Sequence, residues 1–340
     1  MAQARKPATI REVAELAGVS KSTVANVLRE TAPVAELTRS RVLAAIEHLG
    51  YRPNALARSF VNQRTTIAGV LVGDLGNPYY GEMARLVERE LFGRGYTAML
   101  SNIEGDPAMA PAGIEALLEQ RVAGIVFLAL FARDAGIAKL LSDGPEVVLI
   151  GWRDAWAPSV LADDRGGGRL AAEHLIGLGH RRIAFLTTPA VEPGCEEERR
   201  GGYAEALAKA GLTPLPTLRL RPGDGDAPPG ERDADLIAAL RGAERPTALF
   251  VSNDTGAIAV LDVLDAAGLR IPEDVSVVGF DNVGIAGLRR ISLTTVAQPL
   301  PGLAAVGVDL LLRRIEGGGD APPPLAVELV ERSSTGPPPT

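Results

Sequence analysis

The chain has 340 residues, of which 46% are hydrophobic and 23% are charged, a balance typical of a soluble globular protein with a sizeable core. At on the order of 150 residues per domain, this length predicts two or three domains. The formal net charge of −7 argues by itself against a nucleic-acid partner, and the presence of one cysteine, Cys195, excludes an internal disulfide.

The N-terminus has no apolar segment of the kind found in secretory signals. The longest apolar runs, at 123–131 and 147–150, are too short to cross a bilayer. We therefore predict a cytoplasmic protein without a membrane partner.

The charge is unevenly distributed along the chain. Residues 1–64 contain ten Lys or Arg and five Asp or Glu, whereas the remainder contains 25 basic and 37 acidic residues. A small basic segment joined to an acidic body is typical of a nucleic-acid-binding module attached to a different one. Ordinary scatter of charge would give the same split. The motifs within the basic segment must therefore distinguish a nucleic-acid-binding module from a chance distribution of charge.

Two short helices joined by a tight turn are predicted near the N-terminus. Thr9 and Glu12 have the spacing of a capping box at the start of the first helix, and Gly18 can end that helix in the left-handed conformation. Ser20 then caps a second helix, Lys21–Arg29. This order of elements is the helix-turn-helix pattern, in which the second helix enters the major groove of DNA.

The outer face of the second helix carries side chains suited to base edges. Lys21 suits guanine acceptors, Asn26 suits adenine, and Ser22 suits either. A third helix, about Thr38–Leu49, would complete the small core. Its predicted inward side chains are Val42, Leu43, Ile46 and Leu49. The alternative is a three-helix module that binds protein rather than DNA.

A short hinge helix is predicted after Pro53, which stops the third helix. Asn54 can cap this new helix over 55–61, and its one or two turns would be marginal without DNA or a partner subunit. Phe60 has no local core, so it can either insert between minor-groove base steps or pack on the body of the protein.

The segment from Thr9 to Phe60 resembles the head and hinge of the LacI/GalR family of bacterial repressors, through TIREVAELAGVSKSTVANVLRE and TRSRVLAAIEHLGYRPNALARSF. Asn26 departs from the arginine often found at its position, and Phe60 departs from the usual leucine. The pattern and the resemblance together predict DNA contacts from Thr9, Ser20, Lys21, Ser22, Thr23, Asn26, Asn54, Ala57 and Phe60.

From Thr66 onward, short aliphatic runs alternate with helical stretches. Such alternation predicts parallel sheets with helices on both faces, and about 270 residues suffice for two subdomains of this kind. The predicted strands are Ile67–Val72, Thr97–Ser101, Gly124–Leu128, Val147–Ile150, Arg182–Leu186, Thr217–Arg221, Ala248–Val251, Val275–Phe280 and Thr295–Val296. The predicted helices include Tyr80–Arg94, Ile114–Gln120, Gly167–Gly177, Gly202–Ala210, Arg232–Ala239 and Thr255–Ala267.

Polar and aromatic residues follow four of these predicted strands, at 77–80, 152–154, 253–254 and 281–282. Ligands in parallel α/β sheets bind outside the carboxyl ends of the strands. Aromatic rings with Asp, Asn and Arg around them are typical of a sugar or nucleobase pocket. Each group alone could instead form a turn or cap a helix.

The resemblance to the LacI/GalR family continues to about residue 332, through segments such as GVLVGDLGNPYYGEM, TALFVSNDTGAIAVL and IPEDVSVVGFDN. It implies a periplasmic-binding-protein-like body. The ligand contacts that it implies are Tyr79, Tyr80, Arg199, Asn253 and Asp281, with Trp152 and Gln298 lining the cleft. Gly151 replaces an acidic residue of several members, so we expect one ligand contact to be missing. The segment 191–198 matches the family poorly and is expected to shape the pocket edge.

The predicted fold is a small all-α helix-turn-helix head plus an α/β core of two Rossmann-like parallel-sheet subdomains of the periplasmic-binding-protein type. The predicted division is 1–53 for the helix-turn-helix domain, 54–65 for the hinge helix and linker, 66–162 with 296–322 for the N-terminal sensor subdomain, 163–295 with 323–332 for the C-terminal sensor subdomain, and 333–340 for a disordered tail. The tail shows no leucine heptad, so no tetramer device is expected.

The remaining residues with possible chemistry give no catalytic pattern. The three histidines lack metal-ligand spacing, and His180 is expected to have a structural role. Gly166–Gly168 lacks the order of a phosphate loop and fits a turn into a helix. Asp163 and Asp164 fit a cap for that helix or a crossover between subdomains. We therefore predict no enzyme activity, no metal and no cofactor.

The sequence thus predicts a nucleoid-associated homodimeric repressor that binds a near-palindromic double-stranded DNA operator and responds to a small-molecule effector. A sugar is the expected effector, and a nucleobase is the alternative. Two other classes would fit the body alone, a solute-binding protein of a transporter and a Rossmann-type enzyme. The head and the missing signal peptide argue against the first, and the missing dinucleotide fingerprint argues against the second.

Overall fold

The computed structural model describes residues 8–29, 33–51, 65–128, 135–142, 144–188, 193–220, 233–242 and 244–339. The chain divides into two compact units, a head that ends at Thr65 and a body that begins at Thr66. In the part of the chain so described, no helix is both long and apolar enough to span a bilayer.

Local capping signals set the ends of the helices in the head. The helices are α1 (Ile10–Ala17), α2 (Lys21–Arg29) and α3 (Glu36–Leu49). The predicted capping box is confirmed, because the Thr9 N–H donates to Glu12 Oε2 at 2.7 Å and the Glu12 N–H donates to Thr9 Oγ1 at 3.3 Å. Gly18 ends α1 with a φ of 64°, and Ser20 Oγ accepts from the Thr23 N–H at 3.1 Å at the start of α2.

Small aliphatic side chains from all three helices build the core of the head. They are Val13, Ala14, Ala17, Val24, Val27, Val42 and Ala45. The prediction that Leu43 faces inward is wrong, since 49% of its surface is exposed. Ala45 is buried instead, because residues three and four apart share one face of a helix and Leu43 is one position removed from Val42. The predicted hinge, with Asn54, Ala57 and Phe60, lies outside the described residues.

The first sheet of the body has five parallel strands in the order β2-β1-β3-β4-β5. They are β1 (Ile67–Val72), β2 (Thr97–Asn102), β3 (Gly124–Leu128), β4 (Glu146–Ile150) and β5 (Ser159–Val160). The helices packed on it are α4 (Pro78–Gly93), α5 (Ala110–Glu119), α6 (Ala135–Leu141) and α11 (Leu300–Ile315). Val70 packs with α4 and α11 whereas Leu71 packs with α5 and α6, since successive strand side chains point to opposite faces.

The second sheet has the order β11-β10-β9-β8-β6-β7 and is parallel except for β11, which runs antiparallel to β10. Its strands are β6 (Ile183–Thr187), β7 (Leu218–Arg219), β8 (Ala248–Val251), β9 (Ser276–Asp281), β10 (Thr294–Ala297) and β11 (Glu328–Val330). Its helices are α7 (Asp164–Gly177), α8 (Pro193–Lys209), α9 (Ala234–Arg241) and α10 (Asp254–Ala266).

The predicted fold is therefore confirmed, with a helical head and an α/β body of two sheets. The predicted strands are present with ends that move by one or two residues. The structure adds β5 and β11, whose two and three residues are too short to show alternation in sequence. It also starts α8 at Pro193, nine residues before the predicted helix.

Three segments carry the chain between the two sheets. The chain leaves the first sheet after β5, returns to it from β10 through α11, and crosses again before β11. Two of these segments lie side by side, because the Asp163 N–H donates to the Leu325 carbonyl at 2.8 Å and the Leu325 N–H donates to the Leu161 carbonyl at 2.8 Å. Two of the three connections between the subdomains thus form one small paired strip.

The prediction of a disordered tail is wrong for residues 333–339, which lie against the N-terminal edge of the second sheet. The Val277 N–H donates to the Ser334 carbonyl at 2.8 Å, and the Thr294 N–H donates to Ser334 Oγ at 2.8 Å. Ser334 is buried. The small polar residues of this segment satisfy backbone groups at the strand ends that would otherwise lack partners.

Candidate ligand cleft and DNA-binding head

Arg199 of α8 lies at the centre of a buried polar cluster. Only 5% of its surface is exposed. Its Nε donates to Asp164 Oδ1 at 2.8 Å, and its Nη1 donates to the Ser252 carbonyl at 2.6 Å. The guanidinium also covers the ring of Phe280, with Cζ 3.7 Å from the ring centroid. Contacts from three elements therefore fix the direction of this cation.

Asp281 stands at the end of β9 and faces this cation. Its Oδ1 lies 3.9 Å from Arg199 Nη1 and accepts a hydrogen bond of 2.8 Å from Gln298 Nε2. The structure thus brings three of the predicted ligand residues together. Burial raises the pKa of Asp281, although the Arg199 charge and the Gln298 amide favour its ionised form.

Asp254 extends the cluster away from the cleft. Thr295 Oγ1 donates to its Oδ1 at 2.6 Å, and the Val283 N–H donates to its Oδ2 at 2.9 Å. Burial raises the pKa of this carboxyl, and the neighbouring charge of Asp281 raises it further. Asp254 therefore ties the start of α10 to β10 and to the turn that follows β9.

The sequence did not point to Asp164, Ser252 or Thr295 as residues of the ligand cleft, whereas Asp254 was among the candidates that follow the strand now defined as β8. The two neighbouring acids that it singled out have different roles, since Asp163 caps α7 by accepting from the Gly166 N–H at 2.8 Å while Asp164 pairs with Arg199. The signal available in the sequence was a second acid directly after the residue that caps the helix. Its partner, 35 residues away, could be seen only in the folded chain.

Tyr79 and Tyr80 begin α4 with their rings nearly perpendicular, at 74° and 5.3 Å between centroids. Tyr79 packs against core residues of both sheets. Asn77 caps α4, and its Oδ1 accepts from Thr255 Oγ1 of α10 at 3.2 Å. Burial and the charge of Asp281 raise the pKa of Tyr79, so its phenol keeps its proton and can donate a hydrogen bond.

Gly151 follows β4 and lies close to Tyr79 and α8. A Cβ at this position would lie 2.7 Å from the Tyr79 hydroxyl, and Gly151 has a φ of 83°. Cys195 Sγ donates to the Gly151 carbonyl at 3.1 Å, so the first turn of α8 meets the end of β4 here. The Tyr79 hydroxyl therefore fills the space that an acidic side chain would need.

Asn253 and Trp152 are held by local contacts. Asn253 Oδ1 accepts from the Gly256 N–H at 2.7 Å and caps α10, which fixes this side chain at the start of the helix. Trp152 is 4% exposed and packs beside Trp156 in the core cluster that includes Cys195. Contact of these two residues with a ligand stays a prediction.

The glycine triplet Gly166–Gly168 forms a close contact between two helices. A Cβ on Gly168 would lie 1.9 Å from the Arg199 carbonyl oxygen, and a Cβ on Gly202 would lie 1.9 Å from the Arg165 carbonyl oxygen. The helix expected at this triplet is confirmed. The absence of side chains lets α7 and α8 approach, which places Arg199 beside Asp164.

The second helix of the head separates a buried face from a polar one. Val24 and Val27 are buried, whereas Lys21 and Ser22 are exposed and Asn26 is half-buried. The hydroxyl of Ser20 lies 2.7 Å from that of Ser22 and 2.8 Å from that of Thr23. The predicted base-contacting side chains therefore share the solvent side of α2.

A helix-turn-helix head joined to a two-sheet body with a buried polar cluster at the strand ends is typical of a transcriptional regulator with a ligand-responsive body. Two family models match the chain, "bacterial regulatory proteins, lacI family" at residues 9–54 and "periplasmic binding protein-like domain" at residues 172–335. The chain belongs to the LacI family of bacterial regulatory proteins.

Individual relatives match over nearly the whole chain. The HTH-type transcriptional repressor PurR of Aliivibrio fischeri is 36% identical over 315 residues, which cover 91% of this chain and 92% of that protein. The ribose operon repressor of Escherichia coli is 36% identical over 312 residues, which cover 91% and 93%. The lac repressor dimer bound to operator and the anti-inducer ONPF superposes with a TM-score of 0.82 at 27% identity, covering 97% of this chain and 100% of that one.

Proposed function

We propose that this protein is a homodimeric repressor whose binding to a near-palindromic operator is controlled by a neutral sugar held between the two sheets. The observation that carries this proposal is the buried cluster of Arg199, Asp281 and Gln298. Asp164, which pairs with Arg199, directly follows the paired strip that connects the subdomains. A ligand that engages Arg199 can therefore influence the geometry of that connection.

A hydroxyl-rich ligand fits the donors and acceptors of the cleft. Asp281 offers carboxylate oxygens, Arg199 offers N–H groups, and Tyr79 offers a phenol that keeps its proton. Arg199 already pairs with Asp164, so its charge is balanced before any ligand arrives. The name of the Escherichia coli ribose operon repressor adds support for a sugar. A nucleobase is the second candidate, with one ring of the Tyr79–Tyr80 pair as its stacking surface.

Regulation requires only a modest coupling between effector and operator. A coupling of about 1–3 kcal/mol changes operator affinity by roughly fivefold to more than a hundredfold. The effector would supply it by binding one arrangement of the two sheets more tightly than the other.

Operator binding is tested by fluorescence anisotropy with fragments of the promoter region upstream of the regulator's own gene. We expect specific binding to fragments that carry two half-sites about one helical turn apart, with affinity that falls steeply with salt. Lys21→Ala should weaken specific binding by about 1–3 kcal/mol per half-site contact. Lys209→Ala, at an exposed lysine of the body, is the control and should change nothing. Absence of any sequence-specific complex, with or without candidate sugars and purines, would refute the proposal.

Effector binding is tested by thermal shift with D-ribose, D-glucose, D-galactose, hypoxanthine and guanine. A ligand at 100 times its dissociation constant should add about 2.7 kcal/mol of stability. Asp281→Asn should abolish the shift because the ligand loses an anionic acceptor. Asp309→Asn, an exposed partner of Arg313 on α11, should keep it. A shift by a purine alone would replace the sugar with a nucleobase.

A further inference from the structure

The chain leaves β9 through two consecutive residues with backbone conformations that L residues rarely adopt. Asp281 has a φ of 122° and Asn282 has a φ of 57°. Such conformations persist only where surrounding contacts hold them, and they concentrate at binding and catalytic sites. Here the unusual backbone is that of the acid that faces Arg199.

Two side chains hold this turn through hydrogen bonds. Asp254 Oδ2 accepts from the Val283 N–H at 2.9 Å. Arg332 Nη2 donates to Asn282 Oδ1 at 2.7 Å. Within the described part of the chain, this is the hydrogen bond that joins the Asn282 side chain to a charged group.

Arg332 is itself firmly placed. Its Nη1 donates to the Leu293 carbonyl at 2.6 Å. Its backbone N–H donates to Thr294 Oγ1 at 2.9 Å, and that hydroxyl donates to the Arg332 carbonyl at 3.1 Å. The planar guanidinium thus joins the turn after β9 to the start of β10 with two donors at a fixed separation.

We propose that Arg332 is a positioning residue for the effector cleft, because it locks the Asp281–Asn282 turn so that the Asp281 carboxylate faces Arg199. Arg332 acts from outside the cleft and does not touch the ligand. The nature of the ligand rests on the proposed function, whereas the effect on the turn does not.

Hydrogen exchange of the full-length protein without effector tests the effect on the turn. In Arg332→Gln, the amides of 281–284 should exchange at least tenfold faster, while those of β1 keep their rates. Arg332→Lys retains the charge but lacks the two separate donor nitrogens of the guanidinium, so it should give an intermediate increase in the exchange rates of these amides. Arg313→Gln removes an arginine that pairs with Asp309 on the surface of α11, and it should leave all of these rates unchanged. Unchanged exchange at 281–284, or an increase confined to 292–296, would overturn the proposal.

Titration calorimetry with D-ribose and with hypoxanthine separates positioning from general stability. Arg332→Gln should lose at least tenfold in affinity for the probe that the wild type binds, while operator affinity without probe changes less than twofold. Equal losses for probe and operator would show a general structural role and contradict the proposal. If the wild type binds neither probe, D-ribose and hypoxanthine are excluded as effectors, and the exchange rates alone decide the role of Arg332.

Discussion

His180 Nε2 donates a hydrogen bond to the carbonyl oxygen of Gly336, 2.9 Å away, and so joins the C-terminal segment to the second sheet. A carbonyl only accepts, so Nε2 carries the proton and Nδ1 is left to accept from the Thr247 hydroxyl at 2.9 Å. The imidazole is completely buried and bonded at both nitrogens. The structural role predicted for His180 is therefore confirmed, and its partner is the segment that the sequence predicts to be disordered.

Removal of residues 333–340 should destabilise the body. Ser334 would no longer bond to Val277 and Thr294, and His180 would lose its acceptor. At about 1 kcal/mol for each of these three bonds, the free energy of unfolding should fall by at least about 3 kcal/mol, since further bonds of Ser333, Ser334 and Gly336 are lost with them. Urea denaturation followed by circular dichroism measures this change. A chain that ends at Pro338 keeps these contacts and serves as the control, and equal midpoints for the two truncated chains would refute the prediction.

His174 and His180 make stability depend on pH. Burial lowers the pKa of both His174 and His180, so the unfolded chain takes up protons at a higher pH than the folded one. The free energy of unfolding should therefore rise with pH below the ordinary histidine value of about 6.5, and the stabilisation should be lost as pH falls through the lowered pKa values. Of the charged groups around them, Glu331 opposes the shift at His174 and the charge of His174 adds to the shift at His180.

Denaturation between about pH 5 and about pH 7 compares the wild type with His180→Gln. The variant should lose about 2 kcal/mol near neutral pH, because buried donors and acceptors lose their partner. Its loss should be smaller at the acidic end, where the wild type is already weakened. If the free energy of unfolding changes with pH in parallel for the two proteins, His180 does not titrate during unfolding.

Much of the fold could be predicted because its signals are local. Thr9 and Glu12 lie three residues apart, and Gly18 adopts the left-handed conformation within its own turn. The long strands are buried on both faces and appear as continuous aliphatic runs. Such features depend on neighbours within one element, so the sequence displays them directly.

The contacts that build the cleft depend on residues far apart in sequence. Asp164 and Arg199 are separated by 35 residues, and Arg332 and Asn282 by 50. The C-terminal segment is short, polar and rich in proline, as in a loop, yet its Ser334 bonds to Val277 across 57 residues. Because these pairs form only when the sheets are assembled, no local pattern distinguishes them from surface turns.

Gly168→Ala should displace α8 and with it Arg199. The new methyl would overlap the Arg199 carbonyl oxygen, a backbone atom that cannot move alone. Overpacking of this kind costs about 1–3 kcal/mol. Because the Arg199 guanidinium would be displaced, the effector should no longer raise the melting temperature. Gly177→Ala, near the end of the same helix with open space around it, should be neutral or stabilise by up to about 1 kcal/mol. Similar results for the two variants would contradict the close approach of α7 and α8.

Gly151→Ala should destabilise the body for two separable reasons. The φ of 83° costs about 1–2 kcal/mol for an L residue, and the new Cβ would lie 2.7 Å from the Tyr79 hydroxyl. Gly211→Ala has a similar φ of 70° without any atom within 4 Å, so its loss of stability reports the backbone cost alone. Gly151→Ala should lose more than Gly211→Ala, and adding Tyr79→Phe should recover the difference because it removes the opposing oxygen. If Tyr79→Phe restores nothing, the Tyr79 hydroxyl does not occupy the space beside Gly151.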